Sequence, residues 1–89
     1  MIKLVAVHAE AGTALHLTFS DGTAGSFDLA PLIARDTPLT KPLAEAGFRE
    51  RCYIEMGALC WPNGLELSAA SLQQRMDKAG RLQRSSEAA

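Results

Sequence analysis

Leu15-His16-Leu17-Thr18-Phe19-Ser20-Asp21-Gly22, running on into Thr23 to Leu29, is the stretch that decides the architecture of this chain. Leu15, Leu17 and Phe19 alternate with His16 and Thr18, the period of two that marks a strand with one buried face. Asp21-Gly22 is the strongest turn signal in the sequence, and Thr23 to Leu29 is predicted to return as the paired strand. A two-residue loop at Asp21-Gly22 would set His16 opposite Phe27 and put Phe27 on the polar face. A three-residue loop, Ser20-Asp21-Gly22 with Gly22 left-handed, pairs Phe19 with Thr23 and Leu15 with Phe27. All the large apolar residues then share one face. A one-residue slip reverses every side chain, so the pattern favours the three-residue loop with a bulge.

Upstream, Met1 to Glu10 is predicted as a strand, broken at Ala11-Gly12. Its register has two solutions. A three-residue loop sets Val7 opposite Leu17, Val5 opposite Phe19 and His8 opposite His16; a two-residue loop sets Leu4 opposite Phe19. Downstream, Ala30-Pro31-Leu32-Ile33 fits a short helical turn with Pro31 at a first helical position. Pro42 to Ala46 suggests a brief helix stopped by Gly47, with Phe48 against the core. Arg51 to Met56 and Ala58 to Trp61 are predicted as two further strands around Gly57, ended by the turn Pro62-Asn63-Gly64. Ser68 is a fitting N-cap for a helix over Ala69 to Ala79, with Gly80 as its stop. Ala69, Leu72, Met76 and Ala79 form one apolar stripe on that helix.

The expected fold is therefore α+β: a mainly antiparallel sheet of about five strands built from β-hairpins, with short helices and a C-terminal helix packed on one face. Its expected core is Val5 or Leu4, Leu15, Leu17, Phe19, Phe27, Leu29, Phe48, Ile54, Leu59, Trp61, Leu67, Leu72 and Met76. Residues 1–80 are expected to form the single domain and residues 81–89 a flexible tail.

At 89 residues the chain is one small domain with a thin core, so a dimer or a partner over one sheet face would help its stability. The formal charge of −1 advertises no overall attraction to nucleic acid. No apolar run approaches the roughly 20 residues that span a bilayer. Residues 1–7 carry no signal-peptide core, and the two cysteines are expected to be reduced thiols, so the expected location is the cytoplasm. The near-neutrality is the sum of unlike parts: residues 1–67 carry −3, whereas residues 68–89 carry +2.

Three elements in order carry a resemblance: Leu17-Thr18-Phe19-Ser20-Asp21-Gly22, then Asp28-Leu29-Ala30-Pro31-Leu32, then Trp61-Pro62-Asn63-Gly64-Leu65-Glu66-Leu67. Over roughly residues 2–76 the chain resembles the small bacterial family called domain of unknown function 2442. Its pattern is an "L-x-F-x-D-G" hairpin, a "D-L-x-x-L" element and a "W-P-N-G-x-D-L" turn. Glu66 replaces the usual Asp, and the segment between Gly57 and Trp61 is shortened. The resemblance implies an antiparallel sheet with helices packed on it. It also implies a chain found alone or joined to a helix-turn-helix, often beside another short protein in a pair similar to toxin–antitoxin modules. It carries over no catalytic residue. The molybdopterin label of some members finds no Gly-rich phosphate loop here, and no cofactor is expected.

The candidate chemistry is sparse. Asp21, Gly22, Asn63 and Gly64 are expected to serve tight turns as positive-φ pairs. Asp28 is placed to cap the amides of the turn at Ala30 to Leu32. His8 and His16, if paired across a hairpin, could offer a metal two ligands, with Glu10 as the one carboxylate able to join them; solvated sheet-face histidines are the plainer reading. A three-residue loop at Glu55-Met56-Gly57 would set Cys52 opposite Cys60, although two small buried hydrophobes are the expected outcome. Trp61 and Tyr53 are two of the few aromatics, and an exposed Trp61 beside Pro62 would mark a partner surface.

Arg75, Lys78, Arg81 and Arg84 recur every three residues and drift around a helix. Trp61, Pro62, Arg75, Lys78 and Arg81 form the candidate interaction surface. The expected function is a non-catalytic interaction or regulatory module, antitoxin-like, with a protein partner or a second copy of itself. The alternative is nucleic-acid binding through the basic C-terminal segment.

Overall fold

A computed structural model describes residues 1–84. Among them seven strands form two antiparallel sheets, one four-stranded in the order β1-β2-β3-β7 and one three-stranded in the order β4-β5-β6. The strands are β1 (Leu4–Ala9), β2 (Ala14–Phe19), β3 (Thr23–Asp28), β4 (Tyr53–Glu55), β5 (Ala58–Cys60), β6 (Glu66–Leu67) and β7 (Leu82–Arg84). Three α-helices, α1 (Ala30–Ala34), α2 (Ala46–Arg49) and α3 (Ala69–Lys78), and one 3-10 turn (Lys41–Ala44) complete the fold. The α+β class and the packed C-terminal helix are as expected. The single sheet of about five strands is replaced by two sheets of four and three.

The β2–β3 hairpin adopts the register that the apolar pattern favours, with Leu15 opposite Phe27 and Leu17 opposite Gly25. Gly22 is left-handed at φ 87°, and its N–H donates to the Phe19 carbonyl at 3.1 Å. The first hairpin combines both candidate registers. Val7 faces Leu17 and His8 faces His16, and a bulge between Leu4 and Ala6 then sets Leu4 opposite Phe19. That bulge turns Val5 out to 55% exposure and buries Leu4 to 1%. Leu4, not Val5, is the core residue, because a bulge shifts the alternation by one.

The short hairpin differs from expectation. Tyr53 faces Cys60 and Ile54 faces Leu59, so Cys52 does not oppose Cys60. The loop is the two-residue Met56-Gly57, with both residues at positive φ (51° and 80°). Positive φ at both central positions is the mark of a type I′ turn, whose twist matches that of the flanking strands. The two cysteines are free thiols.

β7 corrects the expected flexible tail at its start. Leu82 pairs with Gly25 and Arg84 with Thr23 at the open edge of β3, and Leu82 packs against the core. The rest of that tail, residues 85–89, lies outside the described residues. The turn into β7 is fixed by the end of α3. The Gly80 N–H donates to the Asp77 carbonyl and the Arg81 N–H to the Met76 carbonyl, with Gly80 at φ 71°. Those paired bonds are the Schellman pattern of a helix stopped by glycine. At the other end Ser68 Oγ accepts from the Ser71 N–H at 3.2 Å, the expected N-cap.

Gly47 does not stop a helix. It lies inside α2, after the 3-10 turn, and Phe48 packs against the core from partial exposure. The core follows the expected list and adds Leu32, Leu43, Leu65 and Ala69, while Ile54 and Leu67 sit at its margin. The two sheets join where β1 begins: the Leu4 N–H donates to the Gly57 carbonyl at 2.9 Å.

Candidate functional site

The conspicuous polar residues of the turns are engaged by the chain's own backbone. Asp21 Oδ1 accepts from the Thr23 N–H at 3.0 Å and the Thr23 hydroxyl at 2.7 Å, and its second oxygen accepts from Gln73 on α3 at 2.9 Å. The Thr23 hydroxyl and amide hold the Asp21 carboxyl below its ordinary range. Asn63 donates to the Leu39 carbonyl at 3.0 Å and accepts from the Leu65 N–H at 3.1 Å. Gly22 and Gly64 take the positive φ expected of them, whereas Asp21 and Asn63 do not. Those two act through their side chains, as Asx turns do.

Asp28 caps α1 as expected. Its Oδ1 accepts from the Ala30 N–H at 2.9 Å and from the Thr13 hydroxyl at 2.6 Å. The Thr13 bond is the larger cause, the Ala30 amide the next, of a carboxyl held below its usual range. Arg81 adds a smaller charge effect in the same direction.

His8 and His16 do face one another across β1 and β2. His16 Nδ1 lies 3.6 Å from Glu10 Oε2, while the Ser26 hydroxyl donates to Glu10 Oε1 at 2.7 Å. Among the described residues no three His, Cys, Asp or Glu side chains stand together so as to hold a metal. Cys60 is buried, its Sγ 3.6 Å from Glu66 Oε2. Burial, with Glu66 beside it, pushes the Cys60 thiol up, and burial does the same to Cys52. Neither thiol has the depressed pKa of a reactive nucleophile.

Trp61 is 1% exposed, and its indole N–H donates to the Arg49 carbonyl at 3.2 Å. It therefore leaves the candidate surface, on which Pro62, Arg75, Lys78 and Arg81 remain exposed. Two of these, Arg75 and Arg81, line a cleft of about 210 Å³ between β3, α1 and the end of α3. Phe27, Leu32 and Met76 form its apolar floor, with Pro31, Ala79 and Asp28 among the residues at its rim. A wider, shallower depression of about 710 Å³ runs between α3 and β7 over Asp21, Gln73 and Arg84.

The cleft depends on a close backbone crossing. A Cβ at Gly25 would overlap the Arg81 carbonyl oxygen, so glycine at this strand position lets the α3–β7 link lie on β3 and wall the cleft. An interior glycine in an otherwise sound strand was the sequence signal for such an approach.

Two antiparallel sheets joined at the start of β1, with α3 packed against β3 and β7 and a small cleft lined by Arg75 and Arg81, make up an α+β domain. Residues 4–75 match the family model described as "Protein of unknown function (DUF2442)", and the chain belongs to that family. No curated protein and no solved structure matches it. No helix among the described residues is long and apolar enough to cross a membrane.

Proposed function

We propose that the chain is a non-catalytic protein-interaction or regulatory module, the antitoxin-like component of a two-gene pair. The supporting observation is a division among its polar side chains. Asp21, Asp28 and Asn63 are held by turns and caps, whereas Arg75, Lys78 and Arg81 stand exposed around the end of α3. Arg81 shares its charge with Asp28, but Arg75 and Lys78 have no ion pair among the described residues, and exposed cations next to an apolar cleft are suited to a partner. Co-expression with the product of the neighbouring gene, purified on a tag carried by either chain, is expected to yield a stoichiometric complex. Recovery of this chain alone from both tags overturns the reading.

The same cations support a second reading, a nucleic-acid-binding regulator. Arg75 and Lys78 lie on α3, Arg81 and Arg84 beyond its end. Arg84 is close enough to Asp21 to lower that carboxyl, which reduces its call on a phosphate. Each phosphate contact adds about −0.9 to the salt slope on duplex DNA, so this reading requires a shallow slope of at most four such contacts. Removing residues 81 onward would also remove β7, so charge reversal at Arg75 and Lys78 is the cleaner test. Duplex binding at low salt that survives both reversals rules out this mode.

A further inference from the structure

We infer that the cleft between β3, α1 and α3 is a docking site for one apolar side chain of a protein partner, in a segment that carries carboxylates on either side of that residue. The inference rests on the interaction-module reading and names the surface and chemistry it would use. Size comes first. Small-molecule sites usually enclose about 300–1,000 Å³, and this cleft has about 210 Å³. It suits a single leucine-sized or phenylalanine-sized group better than a free metabolite.

Chemistry comes second. The floor of Phe27, Leu32 and Met76 presents only carbon and sulfur, already shielded to 8%, 3% and 1% exposure. An apolar occupant would complete that shielding without stranding a polar group. Charge comes third. Arg75 and Arg81 stand at the rim, and Lys78 follows Arg75 on α3. The one rim carboxylate, Asp28, already accepts from Thr13 and Ala30. Arg81 is near enough to Asp28 to lower that carboxyl, whereas Arg75 and Lys78 have no carboxylate within ion-pair distance, the single ion pair among the described residues being His16 with Glu10. The rim is cationic on a chain whose net charge is −1. Carboxylates flanking the anchor would meet that rim in complement. A nucleic acid would meet the same charges, but its flat bases and single thymine methyl fill an apolar floor less well than a branched side chain.

The test uses the full chain, isotope-labelled for proton–nitrogen correlation spectra. Four probes are titrated: an acidic pentapeptide with a central leucine, its lysine-flanked counterpart, N-acetyl-leucine amide, and a ten-nucleotide single strand. The acidic peptide is expected to shift the amides of Phe27, Leu32 and Met76 with saturation. The lysine-flanked peptide should bind at least tenfold more weakly. Ala79→Phe, which fills the cleft from an exposed position, should abolish saturable shifts, and Arg75→Glu should weaken the acidic peptide at least tenfold. Arg75→Glu also serves should Ala79→Phe fail to fold.

Equal binding of the two peptides, or shifts confined to other residues, overturns the inference. So does N-acetyl-leucine amide binding as tightly as the peptide, or the oligonucleotide shifting the same amides more strongly. A neighbouring-gene complex that persists with Ala79→Phe would retain the module reading and discard the cleft. Peptide binding without that complex would do the reverse.

Discussion

The two sheets are held together by different means. The four-stranded sheet relies on a broad apolar face: Leu4, Leu15, Leu17, Phe19 and Phe27 line up across β1, β2 and β3 and are all buried. Its strands are six residues long where β1, β2 and β3 meet. The three-stranded sheet has strands of two or three residues, too short for their own ladders to set the geometry. It depends on single anchors instead: Trp61 on the Arg49 carbonyl, Asn63 between Leu39 and Leu65, and the Met56-Gly57 turn. A long strand averages its stability over many contacts, and a short one concentrates it in a few side chains.

Trp61→Ala tests that concentration most severely. Removing a buried tryptophan is expected to cost about 3–5 kcal/mol, read from urea unfolding followed by circular dichroism. A loss under 1 kcal/mol would mean that the smaller sheet is not anchored there. Gly25→Ala strikes the larger sheet at a tight crossing, because the new Cβ meets the Arg81 carbonyl. Overpacking of this kind costs about 1–3 kcal/mol, and hydrogen exchange at Leu82 to Arg84 should quicken while β4 and β5 stay protected. Uniform quickening in both sheets would erase the contrast between them.

Asn63→Ala removes two hydrogen bonds at about 0.5–1.5 kcal/mol each, so a loss of about 1–3 kcal/mol is expected from the same urea measurement. Met56→Asn has the opposite sign. Methionine holds φ 51° here, a left-handed conformation that asparagine adopts more readily, and a gain of up to about 1 kcal/mol is expected. The smallest effect is a pH dependence confined to the larger sheet. Asp21 and Asp28 have folded pKa values below their ordinary ones, so their contribution is full above the unfolded carboxylate value near 3.9. It is lost as pH falls through the lower folded values. Asp28→Asn should reduce the slope of stability against pH below about 4. An unchanged slope would show that the Asp28 cap is not linked to folding.

The contrast between sheets also explains what could be read from sequence. The β2–β3 register was legible because five large apolar residues agree on one alignment and none on its neighbour. The β1 register split into two candidates because both are real, one on each side of the bulge. The β4–β5 register was not legible: Tyr53-Ile54-Glu55 and Ala58-Leu59-Cys60 are three-residue strands with no polar–apolar alternation for the pattern to vote on. β7 was hidden because Leu82 is its only apolar residue, and its signal lay far away, in the glycine of β3. For the candidate site, the basic residues and the Asp28 cap were legible, while the cleft they border was not. It is assembled from three elements that only the tertiary fold brings together. Trp61 was read as core and also offered as surface, and its indole bond to Arg49 decides for the core.

The buried indole has a practical use. Trp61 is the one tryptophan in the chain, so ultraviolet emission from an unlabelled sample arises from a single place. Shielded as it is, it should emit to the blue and move red on meeting water. It directly follows β5 and packs into the core that both sheets share, so its colour reports the smaller sheet where it meets the larger. A red shift that precedes the loss of backbone ellipticity would reveal a partly opened species in which the larger sheet still stands. Coincident curves would show that the Leu4–Gly57 junction makes the two sheets melt as one.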